Sequence, residues 1–551
     1  MSIKKVSAVV LAAAMLTAMT ACSSSSSSGS APASSSNAPS SSTASTGGSS
    51  ESAAPSNSDA GSTDSVYPMS GDRKLTYWVG VSVSNYNDNN AKLPLWQELM
   101  KNTGITIEFQ HPAVGQEQEN FNLMLASGEY PDIIESKYAE PAAMMEDDII
   151  IDLTDVLPQY APNLYNYLKA NPDIDRQVKN DDGQYLLFPF IRPDPVLQIS
   201  SGPIVRTDWL DELGLGRPET IDEWTTMLTA FRDQKGAEVP LAFDSSGNLD
   251  RLMYAWETVN DFLNENGTVE YGYLRPGYKD FLIQMNKWFA DGLLDNNYPT
   301  STRDILNTNI LTGKTGATYG SGGSYLGVWL SSKPAEPATF DLGGLKYPVL
   351  NKGDTNYHGN NIQFEFSNSN GWAMISTQCK DVEAAARFLD YGYSDEGHIL
   401  YNFGIEGKSY TVQNGEYTYT DEMFNDPDGK SVSDTLGYYV RATGSGPFIQ
   451  DPGYIMQYYQ TQQQKDALAL WADQKQKDTK MPAIVHTTDE ATEFTNIMND
   501  IKTYIKEEQV KFIMGTRSMD TFDDFINQIK SMKIDRAIEI KQGALDRFYN
   551  R

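Results

Sequence analysis

Cysteine is almost absent from this chain of 551 residues, since only Cys22 and Cys379 occur. Two distant cysteines exclude a disulfide framework and a zinc site built from cysteine ligands. No two of the four histidines lie four positions apart, and the zinc-protease motif HExxH is missing. The chain also lacks the phosphate-binding motif GxxxxGK[ST] and the nucleophile motif GxSxG, so the sequence predicts neither a cofactor nor a bound metal.

Positive charge is also scarce. The chain has 43 Lys and Arg residues against 73 Asp and Glu residues, and its formal charge is −30. Because polyanion binding needs a basic surface, this balance argues against a nucleic-acid partner and against a broad face for anionic lipids. The length predicts about two to four domain-sized units with cores of their own.

The first seventy residues are typical of export and anchoring. Lys4 and Lys5 precede an apolar run at 6–19, which predicts a signal peptide at 1–21. The run ends in Met-Thr-Ala-Cys, which resembles a bacterial lipobox and predicts lipidation at Cys22; a plain secretory peptide is the alternative. Residues 22–70 are mostly Ser, Ala, Gly, Thr, Asn and Pro, so we expect a disordered tether. Together these features are typical of a lipid-anchored protein on the outer face of a Gram-positive cell membrane.

The folded part begins with alternating strand and helix patterns. We expect strands at 75–81, 105–109 and 131–134, with helices at 93–101 and 121–125 between them. This order predicts a parallel β-α-β sheet.

Later segments are mostly helical. Thr220 is a good N-cap for a helix at 222–232 and has Glu223 three positions later, which is the pattern of a capping box. Apolar residues at helical spacing predict further helices, whose apolar faces we interpret as core, at 278–289, 381–391, 494–505 and 522–529.

Six short segments occur in an order that resembles a known family. They are 123–134 (LMLASGEYPDII), 182–189 (DGQYLLFP), 205–215 (VRTDWLDELGL), 289–294 (FADGLL), the set from 371 to 407 that ends in NFGIEG, and 544–547 (ALDR). Together they resemble the lipoprotein solute-binding subunits of bacterial ABC sugar importers, in the large Gram-positive form of family 1 solute-binding proteins.

The resemblance implies an α/β, two-lobe periplasmic-binding-protein-like (type II) fold with hinge crossings and extra C-terminal helices. We place one crossing near 189–195 and another near Trp372. Lobe 1 would then comprise 71–192 plus about 372–440, and lobe 2 about 193–371 plus 441–551.

The resemblance also implies a binding protein without catalytic activity. It would be a monomer that captures an oligosaccharide and delivers it to the permease subunits of an ABC importer. Two alternatives stay open: a peptide-binding receptor on the same scaffold, and a surface glycoside hydrolase, which would need two carboxylates across a sugar ring. Many family members carry an EF-hand-like calcium loop, but the corresponding stretch 231–240 (FRDQKGAEVP) lacks its pattern, so we expect no calcium there.

Candidate ligand residues in lobe 1 follow the predicted strands, because ligands of open α/β sheets bind beyond the carboxyl ends of strands. Asn85 and Tyr86 follow the first strand, where the alternative is a solvated turn. Glu135 and Tyr138 follow the third strand; the resemblance implies a polar contact and a stacking ring, and the alternative is a helix cap and a surface ring.

Four candidates fall in lobe 2. Asn248 and Trp256 follow a strand-like PLAF stretch, although Trp256 is equally suited to the core. Ser321 and Tyr325 lie in a predicted Gly-rich loop at 318–325 (TYGSGGSY), where the backbone can approach a ligand closely.

Two candidates lie near the proposed crossings. The resemblance makes Trp372 the preferred stacking residue, and an interlobe core position is its alternative. Arg441 could bind a ligand carboxylate or hydroxyl groups, or form a structural salt bridge. We interpret Cys379 as a small buried residue.

Overall fold

The computed structural model describes residues 66–245, 248–357, 371–474 and 477–551. All of them belong to one compact unit, Asp64–Arg551. The predicted signal peptide, the lipidation at Cys22 and most of the tether lie outside the described residues. In the part of the chain that is described, no helix combines the length and the apolar character that crossing a membrane requires.

The strands are short, and most of them belong to small separate sheets. Their bounds are β1 Arg73–Trp78, β2 Ile105–Gln110, β3 Ile133–Glu135, β4 Phe190–Ile191, β5 Ser201–Arg206, β6 Phe262–Glu265, β7 Thr268–Tyr271, β8 Ala317–Ser321, β9 Leu342–Gly344, β10 Ala373–Ile375, β11 Tyr410–Gln413, β12 Glu416–Tyr419 and β13 Phe448–Ile449.

Helices make up most of the remaining regular structure. Their bounds are α1 Pro94–Thr103, α2 Glu117–Ser127, α3 Pro141–Glu146, α4 Val156–Tyr160, α5 Pro162–Ala170, α6 Pro172–Val178, α7 Pro195–Gln198, α8 Thr207–Leu213, α9 Ile221–Lys235, α10 Pro276–Ala290, α11 Arg303–Leu311, α12 Val328–Ser331, α13 Val382–Asp390, α14 Asp395–Asn402, α15 Val432–Gly437, α16 Pro452–Tyr458, α17 Gln462–Asp473, α18 Thr488–Ile513, α19 Phe522–Ser531 and α20 Ile534–Tyr549.

The first sheet has the strand order β10-β3-β1-β2, and β1 runs parallel to both β2 and β3. The β-α-β prediction is therefore confirmed. The strand predicted to reach residue 81 ends earlier, at Trp78. Val79 still donates to the Gln110 carbonyl at 3.2 Å, but β2 ends there and Pro112 has no N–H for a further ladder bond.

Buried apolar side chains form three separate clusters. The first core contains buried residues from 75 to 191 and from 372 to 401, together with Phe448. The second core draws on 199 to 357 and on 459 to 545. A smaller third core contains Phe403, Tyr454 and residues between them. The chain therefore leaves the first core for the second between 191 and 199 and returns to the first between 357 and 372. After residues of the first and third cores, it enters the second core again between 454 and 459.

The second core is built around a three-stranded antiparallel sheet of order β8-β5-β9. The predicted capping box begins α9: the Thr220 side chain accepts from Glu223 N, and the Glu223 side chain accepts from the Thr220 backbone. The apolar faces of α18 and α19 pack into this core, as their spacing predicted.

One loop prediction and one strand prediction in this part of the chain are wrong in detail. The stretch 318–325 is not a loop, because 318–321 complete β8 and Gly322–Gly327 form a helical turn capped by the Ser321 side chain. The PLAF stretch is not a strand, since Leu241 makes only isolated bridges to Leu294 and Ala317. Whether a stretch forms a strand depends on its pairing with strands that are distant in the sequence. Local composition does not encode that pairing.

Candidate ligand-binding site

A cavity of about 740 Å³ lies at the carboxyl ends of β1 and β3. Because these strands are parallel, the residues that follow them meet at one edge of the sheet. The cavity is lined by 78–83, 135–138 and 443–445, and by Pro112, Glu117, Arg192, Gly371, Ser433, Asp434, Gly437, Val440 and Arg441. Of the ten predicted ligand residues, the structure brings three to this cavity: Glu135, Tyr138 and Arg441.

Glu135 and Arg441 form a buried ion pair in the cavity wall. Arg441 Nη1 lies 3.1 Å from Glu135 Oε2, and Arg441 Nη2 donates to the other carboxylate oxygen. The two side chains are only 9% and 6% exposed. The Tyr77 hydroxyl also donates to Glu135. Burial lowers the pKa of Arg441, but the charge and hydrogen bonds of Glu135, together with the neighbouring tyrosines, raise that pKa above its ordinary value.

The turn at 444–446 brings Arg441 into this position. Gly446 has φ +139°, and a Cβ atom there would overlap the Arg441 guanidinium. Glycine is therefore required by both its backbone conformation and its neighbour. The ion pair links two segments of the cavity wall, and it gives the Glu135 carboxylate a positively charged partner.

Trp78 is a cavity residue that the sequence reasoning missed. Leu75, Tyr77 and Val79 are buried in the first core, so Trp78, on the opposite face of the strand, remains partly exposed and lines the cavity. The period of two along β1 could have identified it. Tyr138 is also partly exposed, and the Lys137 ammonium lies 5.1 Å from its ring centre. Aromatic rings of this kind can pack against the apolar C–H face of a ligand.

Arg192 adds positive charge where the chain leaves the first core. Its guanidinium lies 4.8 Å from the ring centre of Phe190 in β4. Burial lowers the pKa of Arg192 to about 10.

Tyr458 at the end of α16 and the next residue, Tyr459, connect the cavity to the second core. The Tyr458 hydroxyl is hydrogen-bonded to the side chain of Ser433, which lines the cavity. A Cβ on Gly323 would lie 3.5 Å from the Tyr458 ring and 3.4 Å from the Tyr459 ring. The cavity wall and the Gly322–Gly327 turn are thus joined through two aromatic rings.

A model of the family described as bacterial extracellular solute-binding protein matches residues 85–399, which is more than half of the chain. The chain belongs to this family. Lipoprotein LipO of Bacillus subtilis is 23% identical over 385 residues, which cover 66% of this chain and 71% of LipO. The fructooligosaccharide ABC transporter substrate-binding protein FusA of Streptococcus pneumoniae is 22% identical over 522 residues, covering 88% and 92%.

Solved structures share the fold of this solute-binding protein. The alginate-binding protein AlgQ2 without calcium superposes with a TM-score of 0.68 at 22% identity, over 88% of this chain and all of that one (100%). FusA in complex with kestose gives 0.67 at 18% identity, over 87% and 100%. A human-milk-oligosaccharide (HMO) binding protein of Bifidobacterium longum infantis gives 0.68 at 19% identity, over 87% and 99%. The predicted mixed α/β periplasmic-binding-protein-like fold is confirmed.

The other predicted ligand residues of lobe 1 do not line the cavity of the solute-binding protein. Asn85 and Tyr86 are exposed in a turn, and the Lys430 ammonium lies 5.8 Å from the Tyr86 ring centre. Trp372 is 5% exposed and belongs to the first core, while its neighbour Gly371 lines the cavity. Asn85 and Tyr86 thus lie in an exposed turn, and Trp372 is a buried residue of the first core.

Three of the predicted residues of lobe 2, Trp256, Ser321 and Tyr325, also do not line this cavity. Trp256 is 7% exposed and packs edge-on against Phe281, with ring centres 5.7 Å apart. The side chain of Asn248 lies outside the described part of the chain. Ser321 caps the helical turn described above, and Tyr325 donates its hydroxyl to Asp244.

The segment considered for calcium pairs its charged groups with protein partners. Glu238 accepts from Lys314 at 2.9 Å, and Arg232 pairs with Asp233 at 2.7 Å. Among the described residues, no cluster of three His, Cys, Asp or Glu side chains is arranged to hold a metal ion. Cys379 is buried, as predicted, and burial raises its pKa to about 12.

Proposed function

We propose that this solute-binding protein captures an oligosaccharide between two lobes at the cell surface and delivers it to the permease of an ABC importer. The observation that carries the proposal is the cavity at the ends of β1 and β3, with the rings of Trp78 and Tyr138 beside charged and polar groups. Stacking rings combined with hydrogen-bonding groups suit sugars, which present C–H faces and hydroxyls. The relative FusA, by its name, binds fructooligosaccharides.

We propose that the cores define the two lobes. Lobe 1 would contain the first and third cores, and lobe 2 the second core. The parallel pairing of Phe190 with Phe448 supports a hinge in which two crossing segments run side by side. Phe448 belongs to the first core and Tyr454 to the third, which supports a last crossing at about 454–459, later in the chain than the 440–441 boundary expected from the sequence.

The mechanism we propose is closure of the lobes on the ligand. Within the described chain, none of the cavity-lining residues belongs to the second core, which fits an open conformation. Contacts with lobe 2 would form on closure, and a ligand that makes contacts only in the closed state stabilises that state.

We also propose that the protein does not cleave its ligand. A glycosidase needs one carboxyl group that holds a proton and a second that attacks or activates water. Glu135 instead forms a buried ion pair with Arg441. The proposal further includes a signal peptide at 1–21, a lipid anchor at Cys22 on a Ser-rich tether, a Gram-positive source and a monomer; Met-Thr-Ala-Cys and the composition of 22–70 support the anchor.

The test is a thermal-shift screen of the chain without its first 22 residues. Probes are neutral and acidic oligosaccharides, peptides and divalent cations, because tight binding raises the melting temperature by mass action. We expect a shift with one oligosaccharide class that Trp78→Ala removes and Tyr549→Ala, an exposed ring elsewhere, leaves intact. A shift with peptides alone would overturn the sugar proposal, and cleavage of the bound sugar would favour a hydrolase.

A further inference from the structure

A second cavity, of about 610 Å³, adjoins the ligand cavity and shares Trp78 with it. It is lined by residues of β1, of the end of β2, of α2 and of the segment before β3. All of these residues lie between 76 and 131, in the part of the chain that builds the first core. We call this second cavity the α2 groove.

The floor of the α2 groove is a polar face of the first sheet. Leu75 and Tyr77 are buried in the first core, so Thr76 and Trp78 lie on the opposite face of β1. Gln110 of β2 is paired in register with Trp78 and therefore shares that face. All three line the groove and none of them is fully buried, so a ligand can reach this face of the sheet.

One stripe of α2 forms the wall of both cavities. Glu117 lines the ligand cavity, whereas Asn120, Met124 and Ser127 line the α2 groove. Successive members of this set are three or four positions apart, so they lie on the same side of the helix. The two cavities are therefore consecutive parts of one trough between α2 and the sheet, and Trp78 lies where they meet.

The α2 groove offers an aromatic ring and planar amides. Tyr130 is partly exposed, and its backbone N–H is held by the side chain of Gln378 at 3.1 Å. Asn120 accepts from the N–H of Ala113 at 2.7 Å through its carbonyl oxygen, so its NH₂ group remains a donor for a ligand. Gln110 adds an exposed amide. Rings beside planar hydrogen-bonding groups suit sugars, as in the ligand cavity.

The groove also lacks positive charge. Its described lining contains no Lys or Arg, and its one carboxylate is the exposed Glu129. His111 is held as the neutral imidazole, because Nδ1 donates to the Val79 carbonyl at 2.7 Å and Nε2 accepts from Asn90 N–H at 3.1 Å. Burial lowers the pKa of His111 in addition. An acidic sugar residue would meet Glu129 without a compensating cation, so the lining favours neutral sugar residues.

We propose that the α2 groove binds a neutral end of the captured oligosaccharide, so that the cargo is a chain long enough to pass Trp78 and fill both cavities. This inference rests on the proposed function and adds the length and the charge of one part of the ligand. A sugar residue in the groove is tethered to those in the ligand cavity, and linked contacts of this kind raise affinity. Because the groove belongs to the first core alone, these contacts do not require closure of the lobes.

The experiment measures calorimetric binding of short and long members of three neutral series: xylobiose and xylohexaose, kestose and fructosylnystose, maltose and maltohexaose. We expect the long member of at least one series to bind at least about tenfold more tightly than the short one. Tyr130→Ala should weaken binding of that long member about tenfold, and Gln110→Ala a few-fold, without changing any binding of the short one. Tyr86→Ala is the control, since Tyr86 is an exposed ring of the same lobe that lines neither cavity.

The two proposals fail in different ways. If affinity does not rise with chain length, or if Tyr130→Ala weakens short and long members equally, the transport proposal stands and the groove inference is overturned. Binding of acidic oligosaccharides alone would also overturn the neutral end. If peptides bind and no oligosaccharide does, both proposals fail. Should Tyr130→Ala not fold, Gln110→Ala decides, because unchanged affinity for the long member would rule out contact with the groove.

Discussion

Asp181 and Arg551 are 370 positions apart in the sequence, yet their side chains form an ion pair with 2.7 Å between Arg551 Nη2 and Asp181 Oδ1. Arg547 joins the same carboxylate at 2.6 Å. Asp181 follows α6, in the segment that leads to the first-core strand β4, whereas the two arginines belong to the end of the chain at α20, which packs into the second core. One carboxylate thus ties together segments associated with two cores.

Replacing Asp181 by Asn should destabilise the protein. The Arg551 side chain is 1% exposed, so the change leaves its charge without a carboxylate. We expect a loss of about 2 kcal/mol, the scale of a charge-assisted hydrogen bond. The control is Asp182→Asn, at the exposed neighbouring position. Equal midpoints for the two variants in urea unfolding would contradict the role of this pair.

Replacing Glu135 by Gln should be more damaging, because both members of its pair are buried. Removing one partner of a buried ion pair costs about 3–5 kcal/mol, since the other charge stays desolvated. Glu117→Gln is the matched control: Glu117 also lines the cavity but is only partly buried, and we expect a change below about 0.5 kcal/mol. Calorimetric unfolding distinguishes them, and similar melting temperatures would refute the prediction.

Two glycines of one turn should respond differently to alanine. Gly446 has positive φ and no room for a Cβ beside Arg441, whereas the nearest atom to a Cβ on Gly444 would be the Arg441 carbonyl oxygen at 3.6 Å. We expect Gly446→Ala to lose more than about 1 kcal/mol and to lower ligand affinity by moving Arg441. Gly444→Ala should stay close to wild type. If both variants behave alike in unfolding and ligand titration, the packing argument is wrong.

Acid should weaken the fold through His486. Burial, followed by the charges of Lys541 and Arg547, lowers the pKa of His486 to about 4, and its Nε2 has no partner among the described residues. An unfolded histidine titrates near its usual value of about 6.5, so between these values the unfolded chain binds more protons than the folded one. Stability should therefore fall as pH drops from about 6.5 to 4.

The comparison is with His486→Gln, which keeps polarity and approximate size but does not titrate in this range. Its stability should fall less steeply than that of wild type over the same pH window, as measured by urea unfolding at several pH values. Parallel curves for the two proteins would mean that His486 does not contribute.

Local signals in the sequence predicted most of the regular structure. The helix at α9 could be recognised from Thr220 and Glu223 because a capping box involves only four consecutive positions. The β-α-β order of the first sheet followed from patterns within about sixty residues. The same logic of strand ends located Glu135 and Tyr138 at the cavity.

The aromatic residues were harder to assign. Trp372 was preferred and Trp78 overlooked, but Trp372 packs into the first core and Trp78 lines the cavity. A tryptophan fits either environment, and only the face of the strand on which it lies decides between them. For Trp78 the alternation in β1 held that information, whereas β10 is three residues long and offered too little periodicity.

The sequence by itself determined the family, the two-lobe expectation and the general class of function, because short motifs in a fixed order carry them. Tertiary structure alone decided the charge relations: which carboxylate pairs with Arg441, and that Asp181 pairs with two arginines far from it in the sequence. The physical reason is that these groups come close together only when segments hundreds of residues apart have packed. The same packing buries the charges, and burial is what makes the loss of a partner destabilising.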